Sequence, residues 1–102
     1  MDLGLQGKVA IVTGASKGIG FCTALQLVKE GARVTICARG EKSLQVAAAS
    51  IKQETGIDVL TVSANVAKEK ECKEVIEKTV ERYGRLDILI NNAGTAIKYL
   101  NL

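Results

Sequence analysis

Four short, almost wholly apolar runs recur along the chain: Val9-Ala10-Ile11-Val12, Val34-Thr35-Ile36-Cys37, Val59-Leu60-Thr61-Val62 and Ile88-Leu89-Ile90. They are rich in β-branched residues and lack the apolar–polar alternation of a strand with one face in water. Runs of this kind read as strands buried on both faces, and such strands belong to parallel sheets. A parallel sheet needs a crossover between successive strands, so the segments in between must supply one.

They do so with helical periodicity. In the third segment Cys72, Val75, Ile76, Thr79, Val80 and Tyr83 fall on one helix face, while Lys73, Glu74, Glu77, Lys78 and Glu81 fill the other. The second, over residues 41–55, offers Leu44, Ala47, Ala48 and Ile51; the first, over residues 18–30, offers Ala24, Leu27 and Val28. Gly31, Gly56 and Gly84 close the three segments, as helix-terminating glycines do. The order strand-helix-strand-helix-strand-helix-strand predicts an α/β fold with right-handed crossovers. With no proline, no linker and 102 residues, one domain or a piece of one is expected.

Composition narrows the function classes. Apolar residues make up 47% and charged residues 25%, the balance of a globular chain, which argues against disorder. The net charge of +3 comes from residues spread along the chain, with no polybasic run. Phe21, Tyr83 and Tyr99 are the only aromatic residues, too few for a base-stacking nucleic-acid surface. Cys22, Cys37 and Cys72 form no Cys-x-x-Cys pair and there is no histidine, so zinc spacing is absent and no metal is expected. Each cysteine sits in an apolar stretch and is expected to be a buried thiol. An odd, scattered set suits a reducing compartment. The N-terminus lacks a basic region followed by an apolar core, and no run approaches the ~20 apolar residues that span a bilayer. The chain is expected in the cytoplasm, without membrane or nucleic-acid partners.

Chemistry enters at Thr13-Gly14-Ala15-Ser16-Lys17-Gly18-Ile19-Gly20, between the first strand and the first helix. Gly14 permits a tight turn out of the strand, Gly18 lets backbone approach a pyrophosphate, and Gly20 lets helix and strand pack closely. The helix N-terminus, with Ser16, Lys17, Gly18, Ile19 and Gly20 around it, then offers N–H groups and the positive end of its dipole to phosphates. Taken alone, such a turn can also be no more than a tight connection, the lesser of the two readings. The spacing is neither the commoner GxGxxG nor a Walker loop.

Thr13-Gly-x-x-x-Gly-x-Gly20 resembles the cofactor fingerprint of the short-chain dehydrogenase/reductase family. Asn91-Asn92-Ala93-Gly94, at the end of the fourth strand, resembles that family's second marker. The resemblance runs from Gly7 to Gly94, and is to the 3-oxoacyl-acyl-carrier-protein reductases and tropinone-reductase-like enzymes within the family. It implies a Rossmann-type doubly wound parallel sheet of order 3-2-1-4. It also implies that Asn65 and Val66 hold an adenine ring. Asn92, Ala93 and Gly94 would pass beneath the adenosine ribose toward the nicotinamide, and Asn91 would tie neighbouring strands. Without the resemblance Asn65 reads as an ordinary turn residue.

The position ending the second strand separates NAD from NADP: a carboxylate there accepts the ribose hydroxyls, whereas a nearby arginine accommodates a 2′-phosphate. Here Ala38 is followed by Arg39, and Lys17 stands in the glycine-rich turn. Two cations without a carboxylate point to NADP; the competing reading is two solvated surface cations. The family's catalytic Tyr-x-x-x-Lys does not occur in these residues, since Tyr83 is followed four positions later by Asp87 and Tyr99 by nothing at that distance. The chain is therefore expected to be the NADP(H)-binding half of one domain, inactive by itself. Its parent would be a reductase of ketone or 3-oxoacyl substrates, or an alcohol dehydrogenase, and a homo-oligomer. A non-catalytic nucleotide-binding or regulatory module is the alternative; a methyltransferase is disfavoured by Arg39 and by Asn91 to Gly94.

Overall fold

The computed structural model describes residues 4–92. The elements alternate as expected: β1 (Val9–Thr13), α1 (Gly18–Lys29), β2 (Arg33–Ala38), α2 (Glu41–Thr55), β3 (Leu60–Ser63), α3 (Glu69–Tyr83) and β4 (Ile88–Asn91). All strand pairs are parallel, and the order is β3-β2-β1-β4. The sheet is thus the 3-2-1-4 arrangement of a Rossmann-type fold.

Register explains why both parities of the strands are apolar. Val12 pairs with Ile36 and Ala10 with Val34, whereas Ile11 pairs with Thr35 and Thr13 with Cys37. One set of side chains meets α1 and α2 in a core of Val12, Ala24, Val28, Ile36, Leu44 and Ile51. The opposite set meets α3 in a smaller core of Ile11, Cys37, Val62, Ala64 and Val75. β1 is buried at every position, whereas β4, at the sheet edge, is only half-buried at every position. Below α3 the Thr79 hydroxyl donates to the Val75 carbonyl at 2.8 Å and shares a hydrogen bond with Thr35 at 2.9 Å. No buried side-chain nitrogen or oxygen is left unsatisfied among the described residues.

Two expectations about burial need correction. Cys22 is exposed, Cys72 half-buried, and only Cys37 fully buried. Cys22 precedes Thr23 and Ala24 on α1, and the turn of the helix that buries Ala24 carries Cys22 outward. Val80 also departs from the helix-face pattern, at 42% exposed. It lies on the flank of α3, and among the described residues no second helix packs beside α3 to cover it.

Candidate functional site

The carboxyl ends of β1, β2 and β3 converge on a cavity of about 180 Å³. β1 contributes Thr13 and Gly14, β2 contributes Cys37, Ala38 and Arg39, and the segment after β3 contributes Ala64 to Ala67. Four sequence-predicted site residues therefore meet at one place: Gly14, Arg39, Asn65 and Val66. A crevice beyond the carboxyl ends of the strands is where open α/β sheets take ligands.

The glycine-rich turn meets this cavity through Gly14 and leads away from it into α1. Gly14 and Gly18 have φ of 60° and 62°, the left-handed region that side chains other than glycine rarely enter. At Gly18 a Cβ would meet nothing within 4 Å, so backbone conformation rather than crowding calls for glycine there. Gly20 is the opposite case. A Cβ on it would run into the Gly14 carbonyl oxygen and stand 2.8 Å from the Gly14 carbonyl carbon, both rigid backbone. The close approach of helix to strand expected at Gly20 is present.

α1 opens at Lys17 with no side-chain cap, so its first N–H groups remain directed outward. Ser16 is half-buried, Lys17 is exposed, and Ile19 is 78% exposed despite its apolar side chain. Neither Lys17 nor Arg39 forms an ion pair among the described residues, and no carboxylate lines the cavity. An anionic group entering the cavity meets the uncompensated charge of Arg39, while Lys17 and the start of α1 stand outside its lining.

The loop after β3 is an Asx turn. Asn65 Oδ1 accepts from the Ala67 N–H at 3.1 Å, and the Asn65 carbonyl accepts from the Lys68 N–H at 3.0 Å. Asn65 is therefore a turn residue in its oxygen, while its side-chain NH₂ donates to no described protein group. The amide N–H of Asn65 is held by Glu71 Oε1 at 2.9 Å, from the first turn of α3. Asn91 ties strands as expected: its Oδ1 accepts from the Thr13 hydroxyl at 2.7 Å, and the Asn92 N–H donates to the same hydroxyl at 3.1 Å. Ala93 and Gly94 lie outside the described residues.

Several contributors escaped sequence reasoning. Ala64 and Ala67 line the cavity with no chemical signal, and Glu71 resembles any helix-surface carboxylate until Asn65 is seen beside it. Cys37 lies in the cavity wall and also in the core beneath it. Burial, helped by the neighbouring Cys72, pushes its thiol up to about 11, and the thiol donates to the Ala64 carbonyl at 3.7 Å. The thiol is thus neutral and inert. Among the described residues no group of three potential metal ligands comes together, and no helix is long and apolar enough to cross a membrane.

Comparison with known proteins places this geometry. A family model described as short chain dehydrogenase matches residues 8–101. The chain is 46% identical over 88 residues to 11-beta-hydroxysteroid dehydrogenase A of Sesamum indicum, covering 86% of this chain and 25% of that protein. It is 43% identical to tropinone reductase-like 3 of Erythroxylum coca, over 86% of this chain and 34% of that one. Against the 3-oxoacyl-[acyl-carrier-protein] reductase FabG of Staphylococcus epidermidis it is 44% identical, over 85% and 36% of the two chains. The chain thus spans about a quarter to a third of the curated relatives it matches. Among solved structures, L-sorbose reductase from Gluconobacter frateurii, complexed with NADPH and L-sorbose, superposes with a TM-score of 0.87 at 42% identity, over 99% of this chain and 38% of that one. NAD⁺-bound xylitol dehydrogenase superposes at 0.82 and 34% identity, over 89% and 35%.

Proposed function

The chain belongs to the short-chain dehydrogenase family, and from that premise we propose that its cavity is the adenosine end of an NADP(H) site. The whole protein would be an oxidoreductase acting between a ketone, 3-oxoacyl thioester or alcohol and that cofactor. The observation that carries the cofactor choice is Arg39 at the cavity wall with no carboxylate beside it. Some solved relatives bind NADPH and another binds NAD⁺, so the choice rests on this chain's own residues.

In this reading each residue has a binding task. The N–H groups of Gly18, Ile19 and Gly20 receive the pyrophosphate, aided by Ser16. Arg39 and Lys17 receive the 2′-phosphate, and Asn65 with Val66 faces the adenine. Asn92, Ala93 and Gly94 would serve the ribose and nicotinamide side of the cofactor. When bound, the cofactor supplies or takes up a hydride. The residues named here hold and orient it. The parent protein would be a cytoplasmic homo-oligomer with neither membrane nor nucleic acid as partner.

Titration of NADPH and NADH against the chain tests the assignment. NADPH is expected to bind more tightly; equal affinity, or a preference for NADH, overturns it. The absence of Tyr-x-x-x-Lys favours a second reading of what these 102 residues do alone, namely nucleotide binding without chemistry. NADPH oxidation by the purified chain that depends on an added ketone would refute that second reading.

A further inference from the structure

We propose that Ser63, outside the cavity wall, is a positioning residue that sets cofactor choice by holding the backbone of Arg39. The inference rests on the NADP(H) reading and adds to it the device that aims the phosphate-reading side chain.

Three successive carbonyls, of Ala38, Arg39 and Gly40, carry the chain from the end of β2 into α2. The Ala38 carbonyl accepts from the Ala64 N–H at 3.0 Å, extending the β2–β3 ladder past its last pair, Ala38 with Ser63. The Gly40 carbonyl accepts from the Leu44 N–H at 3.0 Å and from the Ser43 hydroxyl at 3.1 Å, as the start of α2. Between them the Arg39 carbonyl belongs to neither ladder nor helix. It is held by a side chain, accepting from the Ser63 hydroxyl at 2.8 Å. The next residue is Gly40, whose lack of a side chain leaves the peptide plane free to swing. Remove the hydroxyl, and the plane between Arg39 and Gly40 loses the one bond that fixes its tilt.

That tilt matters because the Arg39 guanidinium is at the far end of a long side chain on an exposed turn. A planar, bidentate fork recognises phosphate only when it is presented in the right plane. A wandering backbone lowers the fraction of time the fork is aligned, and affinity falls with that fraction. NADH lacks the phosphate and is indifferent to the aim of the fork. Ser63 therefore acts on the ratio of the two affinities rather than on nucleotide binding as a whole.

The experiment measures NADPH and NADH dissociation constants for the wild-type chain, Ser63→Ala, Ser63→Thr, Arg39→Ala and the Ser63→Ala/Arg39→Ala pair, with thermal melts as a control on folding. Ser63→Ala is expected to narrow the NADPH preference roughly 2- to 10-fold, the span of one neutral hydrogen bond. Ser63→Thr keeps the hydroxyl and the preference. In the Arg39→Ala background, removing the hydroxyl should leave the ratio unchanged. Ser63→Cys, nearly isosteric but a weak donor, gives the same reading if the alanine variant loses its fold. Should Ser63→Ala weaken both cofactors equally, or shift the ratio as much without Arg39 as with it, the proposal fails. If Arg39→Ala narrows the preference while Ser63→Ala does not, Ser63 alone is refuted and the cofactor assignment stands. A wild-type chain with no NADPH preference refutes both.

Discussion

The two ends of this sheet are built from the same strands and differ in how they treat charge and backbone. At the amino end β4 is locked to β1 before it begins. The Asp87 carboxylate accepts from the Val9 N–H at 2.9 Å, and the Val9 carbonyl accepts from the Asp87 N–H at 2.9 Å. The other oxygen of the carboxylate takes two bonds from Arg85, at 2.7 and 3.2 Å. At the carboxyl end the loops part to leave a cavity, and Lys17 and Arg39 have no anionic partner among the described residues. Charge satisfied within the chain at one end serves the fold. Charge left open at the other is what a ligand can use.

The largest effect should come from filling the one contact at the open end that has no slack. Gly20→Ala places a methyl group against the Gly14 carbonyl. Overpacking of this kind costs about 1–3 kcal/mol, and it displaces the glycine-rich turn directly. A lower melting temperature together with lost NADPH binding is expected; an unchanged melt and unchanged affinity would show that the turn relaxes freely.

The cavity wall offers a chemical probe of the same end. With burial pushing its thiol up to about 11, Cys37 carries far less thiolate than an ordinary cysteine. Alkylation followed by mass spectrometry should therefore modify exposed Cys22 first and buried Cys37 much later. Equal labelling of the two would mean that the wall opens to solvent.

Next in size is the open charge itself. A hydrogen bond involving a charged group contributes about 1.5–3 kcal/mol, so Arg39→Ala should weaken NADPH binding roughly 10- to 150-fold and leave NADH almost untouched. Lys17→Ala should act in the same direction but less, since an ammonium offers no planar fork. Equal losses for the two cofactors would show that Arg39 does not read the phosphate.

The smallest effect belongs to the closed end. Hydrogen bonds from Arg85 and from the Val9 N–H hold the Asp87 carboxyl below its ordinary value of 3.8. A carboxylate with a depressed folded-state pKa stabilises the fold above its ordinary value, and the contribution is lost as pH falls through the lowered one. Acid unfolding monitored by circular dichroism should show wild type ahead of Asp87→Asn at neutral pH, with the gap closing below the ordinary carboxylate range. A gap that persists in strong acid would assign the difference to packing instead.

The parallel sheet and its alternation with helices were legible because buried parallel strands and amphipathic crossovers leave opposite signatures, and here both are clean; the strand order 3-2-1-4 came only with the family resemblance. The turn from Thr13 to Gly20 was legible too, since positive φ and close approach admit few residues but glycine. Ser63 and Glu71 were not. Each has a role only through one bond to a loop, to Arg39 in one case and Asn65 in the other, and nothing local distinguishes them from other polar surface residues. Cys22 and Val80 failed for a related reason. Periodicity locates a helix face, but how far the face is covered depends on neighbours that only the fold supplies.

The bonds that join β1 to β4 span 78 or 79 positions of the chain. A ribosome releasing this protein from its N-terminus therefore delivers the glycine-rich turn well before the residues that brace it. Until Asp87 and Asn91 emerge, β1 has a neighbour on one side only, and Thr13 waits without the amide that will hold it. Pairing across so long a stretch closes slowly. Until those residues arrive the nascent chain carries an apolar strand with one bare edge, a template on which other chains can add. For this architecture the birth of the molecule, rather than its finished state, is where a chaperone has the most to do.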